Sequence, residues 1–314
     1  LSIGDLYLRF LPGFVIVVLG IQVFNAGRTV SGKYMAGLIA CAILLFQTDI
    51  GWAVTRYIAP QYAFYLRSGF GQSIYESIST AFGVIYIATL ISIMHRWLSA
   101  QEPRIWLQTA LLIFLTFMAV GSKTSALPPL LFGLLGVNIG YLLIRREFPT
   151  QAFRLLLVAG TTAVLTTIVL TVPIMQFFSS QPRGSIVQSD FGALITTSPF
   201  YLSIVNILKE NRLLKDSARV PLILKVGFIF LWTILYPGVL SVGTAISLLQ
   251  KRLKLTLTDG WFLATFISGA ALAIVVTIGS YGPQEQRSFM DPALVMFAIL
   301  TGQAICALYQ TPPI

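Results

Sequence analysis

The chain has 314 residues, of which 56% are hydrophobic and 10% charged, against about 25% charged in a soluble globular chain. At a mean hydropathy of +0.83 it lacks the polar side chains to cover a water-facing surface, which excludes a soluble fold and points to a multi-pass protein of the cell membrane. The balance of 21 Lys+Arg over 11 Asp+Glu, net +10, would suggest nucleic acid in a soluble protein. Here the basic residues sit in short runs between apolar stretches, as loops facing anionic headgroups do, so membrane lipids are expected partners and nucleic acid is not.

A helix needs about 20 apolar residues to cross the hydrocarbon. On that ruler the spans are 7–25, 34–48, 78–95, 105–121, 125–144, 155–178, 222–249, 260–280 and 289–309, about nine in a single transmembrane domain covering 1–314. The second is short and can extend into 48–57. The expected fold is an all-α polytopic transmembrane helical bundle with interfacial helices in its outer loops. There is no alternating barrel pattern and no fixed-period repeat. The first stretch, Leu8 to Phe24, lacks a basic leader and a small-residue cleavage site, so it is not read as a signal peptide. A start at Leu1 and a stop at Ile314 read as a piece of a longer protein. Cys41 and Cys306 lie inside apolar stretches and read as small buried hydrophobes.

Orientation follows the basic loops. Arg28, Lys33, Arg96, Arg104, Arg145, Arg146, Arg154, Lys251, Arg252 and Lys254 fall after spans one, three, five and seven, and mark the cytoplasmic side. The outer face then carries the polar segments 48–77, 179–221 and 281–288. A tenth span at 191–208 would flip everything after it. Pro199, Asn206 and the run Thr196-Thr197-Ser198 favour an interfacial helix instead.

Chemistry, on this reading, belongs outside. Segment 48–77 joins Asp49, Arg56, Arg67 and Glu76 to Tyr57, Tyr62, Phe64, Tyr65, Phe70 and Tyr75. Aromatics at the boundary anchor a helix in the plane of the interface. Asp49 and Glu76 also stand at the ends of adjacent spans, where a carboxylate serves as general base or holds a divalent cation. The turn Gly121-Ser122-Lys123-Thr124-Ser125 reads as a tight hairpin with a snorkelling lysine, or as a lysine meeting a phosphate. Arg287, ahead of Asp291-Pro292, is either an i,i+4 ion pair with Asp291 or a phosphate ligand, and Arg183 has the same two readings. A charge at mid-bilayer costs on the order of 2.5–3.5 kcal/mol, so ionic groups gather at span mouths. His95 is the one histidine. It reads as an interface residue at a cytoplasmic helix end, and a histidine metal cluster is excluded.

Three motifs carry a resemblance. Asp49 with Tyr65-Leu66-Arg67-Ser68-Gly69-Phe70-Gly71-Gln72 and Glu76 is similar to an outer-loop pattern of some bacterial polytopic glycosyltransferases of the GT-C type. The Gly121–Pro128 turn resembles their serine-lysine turn, and Gln286-Arg287-Ser288-Phe289-Met290-Asp291-Pro292 is similar to their arginine-aromatic-proline lead into a late helix. The resemblance implies transfer of a sugar from a polyprenyl-phosphate carrier to a cell-envelope glycan or lipid acceptor. It implies Asp49, Glu76 or Asp5 as the catalytic carboxylate and Arg287, Arg183 or Lys123 against the leaving phosphate. The lipid-linked sugar is then the donor, no resident cofactor is implied beyond a divalent cation, and polysaccharide biosynthesis is the setting. The chain departs from the family in one respect. An essential acid is expected in a first outer loop that follows a cytoplasm-to-outside helix, whereas here only Asp5 precedes the first span. Three alternatives stand beside it: an O-antigen polymerase or ligase, which would use Arg183 and Arg219 of the long outer loop; a membrane transporter or flippase, which would place ionisable residues in mid-span; and a non-catalytic assembly subunit, which would tolerate Asp49→Asn and Arg287→Ala.

Overall fold

The computed structural model describes residues 11–46, 78–99, 105–122, 125, 127–171, 187–189, 199–211, 226–227, 237, 239–251, 255–278 and 289–310. Its architecture is helical. In chain order the elements are α1 (Leu11–Ser31), α2 (Tyr34–Phe46), α3 (Ile78–Leu98), α4 (Ile105–Ser122), α5 (Leu127–Arg145), α6 (Thr150–Thr166, continued by a π-helical turn at Thr167–Thr171), β1 (Val187–Ser189), α7 (Pro199–Glu210), α8 (Val239–Gln250), α9 (Leu257–Val275), β2 (Val276–Ile278) and α10 (Asp291–Gln310).

Among the described residues, six helices are long and apolar enough to cross a membrane: Gly13–Ser31, Ala81–Leu98, Leu127–Arg145, Thr150–Leu170, Leu257–Val275 and Asp291–Tyr309. The apolar helices Tyr34–Phe46, Trp106–Ser122 and Leu240–Gln250 are shorter. Of the expected last-but-two span at 222–249, helix is described at 226–227 and over Val239–Gln250, and the proposed extension of the second span into 48–57 lies outside the described residues. Of the alternative tenth span at 191–208, residues 191–198 lie outside the described residues and the rest falls in α7, a helix of 12 residues.

Close packing comes from glycine. The α1–α2 turn is closed by Gly32, whose φ of 71° a side chain rarely adopts, and by the Ser31 hydroxyl, which donates to Gly27 O at 2.6 Å and accepts from Lys33 N at 3.1 Å. The two helices then run antiparallel with Gly27 against Gly37: a Cβ on Gly27 would sit 2.9 Å from the Gly37 Cα. Gly133 of α5 lies against the Thr265 backbone of α9, Gly243 of α8 against the Thr301 side chain, and Gly302 of α10 against Ala36 O. Lipid tails are as apolar as leucine, so helices associate in a bilayer through such close backbone approach and not through burial alone.

The centre of the bundle is α10. It packs on α1, α2, α8 and α9, and 72% of its apolar window is buried, against 22% for α6 at the periphery. Every residue from Phe289 to Gly302 is buried, which is the behaviour of a helix apolar on all sides. Exposed apolar side chains concentrate on the outer helices, including Phe14 and Val17 of α1, Phe114 of α4 and Val169 beyond α6.

Candidate functional site

The antiparallel order gives the bundle two chemically distinct ends. Gly302 meets Ala36, Gln250 Nε2 donates to Ala304 O at 3.5 Å, and Lys251 pairs with Asp259. The early part of α2 and the ends of α8 and α10 therefore share one end with the start of α9. Because α5 runs antiparallel to α9, Arg145 and Arg146 belong to the same end, as do Arg28, Lys33 and Arg96. At the opposite end α2 finishes at Phe46, α3 starts at Ile78, α9 gives way to β2, and α10 starts at Asp291.

None of the six residues singled out by the sequence, Asp5, Asp49, Glu76, Lys123, Arg183 and Arg287, is among the described residues. Their flanks are. Phe46 and Ile78 bracket the segment holding Asp49 and Glu76, and both stand at the opposite end. At this end β1 pairs antiparallel with β2, Val187 opposite Ile278 and Ser189 opposite Val276. That pairing ties the stretch just after Arg183 to the stretch that leads on toward Arg287. Asp291 is buried at the start of α10, where a carboxylate complements the helix dipole. Its expected partner Arg287 lies outside the described residues.

The polar cluster that is fully described lies at the basic end. Thr256 is the N-cap of α9: its hydroxyl accepts from Asp259 N at 3.2 Å, while Asp259 Oδ2 accepts from Thr256 N at 3.0 Å. The Thr256 hydroxyl also lies 2.8 Å from Asp259 Oδ2. This reciprocal arrangement satisfies amide donors that the first turn of a helix leaves open. Lys251 Nζ, at the end of α8, donates to Asp259 Oδ1 at 2.5 Å. The lysine side chain is 30% exposed and the aspartate 3%. From α3, His95 Nδ1 lies 3.0 Å from Thr258 Oγ1 and its Nε2 lies 3.5 Å from Ser99 Oγ.

His95, expected from the sequence at a helix end, lies in the last turn of α3, is half-buried and joins α3 to α9. Both Asp259 oxygens are taken up by donors from its own turn and from Lys251, leaving a carboxylate suited to holding the end of α8 to the start of α9 and not to accepting a proton from a substrate. The signal for it is in the sequence. Thr256-Leu257-Thr258-Asp259 has capping-box spacing ahead of an apolar run, and it falls just outside the expected span at 260–280. Among the described residues no group of three or more His, Cys, Asp or Glu side chains is placed to hold a metal ion.

Comparison with protein-family models, with curated proteins and with solved structures gives no match.

Proposed function

We propose that the chain is a multi-pass protein of the cell membrane with about nine spans, the three shorter apolar helices crossing alongside the six long ones. Its work on this reading is to move a sugar from a polyprenyl-phosphate carrier to a cell-envelope glycan or lipid acceptor. The observation that carries the reading is the common placement of chain exits. The helix ends flanking 48–77, the strand β1 within 179–198 and the strand β2 just ahead of 279–288 all stand at the end away from the basic rim. Asp49 or Glu76, or Asp5 ahead of α1, would take the proton of the acceptor hydroxyl or hold a divalent cation. Arg287, Arg183 and Lys123 would face the phosphate whose charge grows as the sugar leaves.

The β1–β2 pairing favours a second reading within the same chemistry, an O-antigen polymerase or ligase. There the long outer loop would supply Arg183 and Arg219. A transporter finds less support: the buried acidic residues among those described, Asp259 and Asp291, both sit at helix ends.

The test is replacement in cells that make the glycan, at matched protein level. Asp49→Asn, Glu76→Gln or Arg287→Ala should abolish product and accumulate the lipid-linked sugar if the chain is a transferase. Short chains from Arg183→Ala and Arg219→Ala, with the carboxylate variants active, would select the polymerase. Normal glycan from all five variants would overturn both.

A further inference from the structure

Two turns at the basic end repeat one construction, a guanidinium laid over a tyrosine ring. Arg28 sits 4.0 Å from the centroid of Tyr34, and Arg145 sits 5.3 Å from that of Tyr141. A guanidinium held over a ring engages the ring through its positive charge and keeps its N–H donors available for a two-pronged bond to phosphate oxygens.

At the α5–α6 turn the stacked arginine has neighbours of the same sign. Arg146, held in left-handed backbone at φ 56°, and Arg154 in the second turn of α6 are both exposed, and Glu147 is the one acid between Tyr141 and Arg154. The same turn is strongly apolar. Leu143 is 74% and Ile144 85% exposed, and Phe148 meets Phe153 edge-on at 4.9 Å. Side chains this greasy at a hairpin tip, beside three cations, have the profile of a phospholipid: a negative headgroup above and acyl chain below. The flank is open, since α6 is the least buried of the long helices.

We propose that the α5–α6 turn is a binding site for an anionic phospholipid, with the phosphate held by Arg145, Arg146 and Arg154 and the acyl chain laid along Leu143 and Ile144. The α1–α2 turn has the stack but fewer cations, Arg28 and Lys33, and is the weaker of the two. Nothing in this site depends on the sugar-transfer reading, which concerns the other end of the bundle.

The test uses the full chain in nanodiscs containing equal phosphatidylglycerol and phosphatidylcholine, with retained lipid counted by native mass spectrometry after gentle detergent extraction. The parent should retain phosphatidylglycerol several-fold over phosphatidylcholine. R145Q/R146Q/R154Q should lose that preference at an unchanged thermal midpoint in neutral detergent, and R145K/R146K/R154K should keep only part of it. Undiminished preference in the glutamine variant would overturn the site. An equal loss from R28Q/K33Q would show rim charge in place of a built site. Displacement of the lipid by millimolar inorganic phosphate would show that a free anion, and not a lipid, is the occupant.

Discussion

The indole Nε1 of Trp261 donates to the main-chain oxygen of Leu130 at 3.2 Å, across an α5–α9 pair that glycine has already drawn close. Leu130 O is a helical carbonyl in the interior of α5, so the indole is a second donor to an acceptor served by its own helix. Trp261→Phe should therefore cost only about 1 kcal/mol, whereas Trp261→Ala, which empties a fully buried site, should cost about 3–5 kcal/mol. Thermal unfolding in detergent distinguishes the two. Equal losses would show that the hydrogen bond and not the packing dominates.

Gly133 and Gly140 share α5 but face different surroundings. A Cβ on Gly133 would fall 2.8 Å from Thr265 N, while one on Gly140 meets nothing within 4 Å. Gly133→Ala should destabilise by about 1–3 kcal/mol through forced separation of α5 and α9. Gly140→Ala should be neutral or stabilise by up to about 1 kcal/mol, because alanine orders a helix at less entropic cost. The pair of melting curves decides it, and a tolerated Gly133→Ala would mean that the two helices do not approach as closely as described.

The α8–α9 junction predicts an asymmetry between partners. Asp259→Ala removes the reciprocal cap and leaves Lys251 without its carboxylate, a loss of about 3 kcal/mol. Lys251→Met leaves Asp259 still bonded to Thr256, and the lysine is partly in solvent, so about 1 kcal/mol is expected. A double-mutant cycle measured by chemical denaturation gives the coupling. Similar losses from both single variants would place the stability in the ion pair and not in the cap.

Topology is open to a direct measurement. With cysteines introduced singly at 49, 76 and 287 in a background without Cys41 and Cys306, a membrane-impermeant maleimide should label all three from one side. Cysteines at 33 and 146 should react only from the other. Labelling of 49 and 287 from opposite sides would remove any shared pocket.

The helices were legible wherever apolar length alone decides: α1, α5 and α10 fall where runs of Leu, Ile, Val and Phe fill the thickness of the hydrocarbon. Which of them lies at the centre was not legible, because α6 and α10 are about equally greasy and differ only in what surrounds them. The Asp259 cluster was half legible. Its cap is a local spacing of four residues, but the bond from His95 to Thr258 spans 163 positions, and no periodicity reports such a partner. The sequence placed its chemical candidates in the polar segments between spans, where the described residues supply the anchoring helix ends and strands.

The position of α10 carries a further consequence for assembly. It follows every other described helix in the chain, yet its sides supply the packing surface for α1, α2, α8 and α9. During synthesis, which adds about 5–20 residues per second, the earlier helices emerge seconds before the partner they enclose. They must wait in the bilayer with small-residue faces such as Gly243 and Ala36 turned toward lipid. Packing of these helices thus waits for α10, and a ribosome stalled before residue 291 would leave α1, α2, α8 and α9 without the partner they share, an easy substrate for membrane quality-control proteolysis.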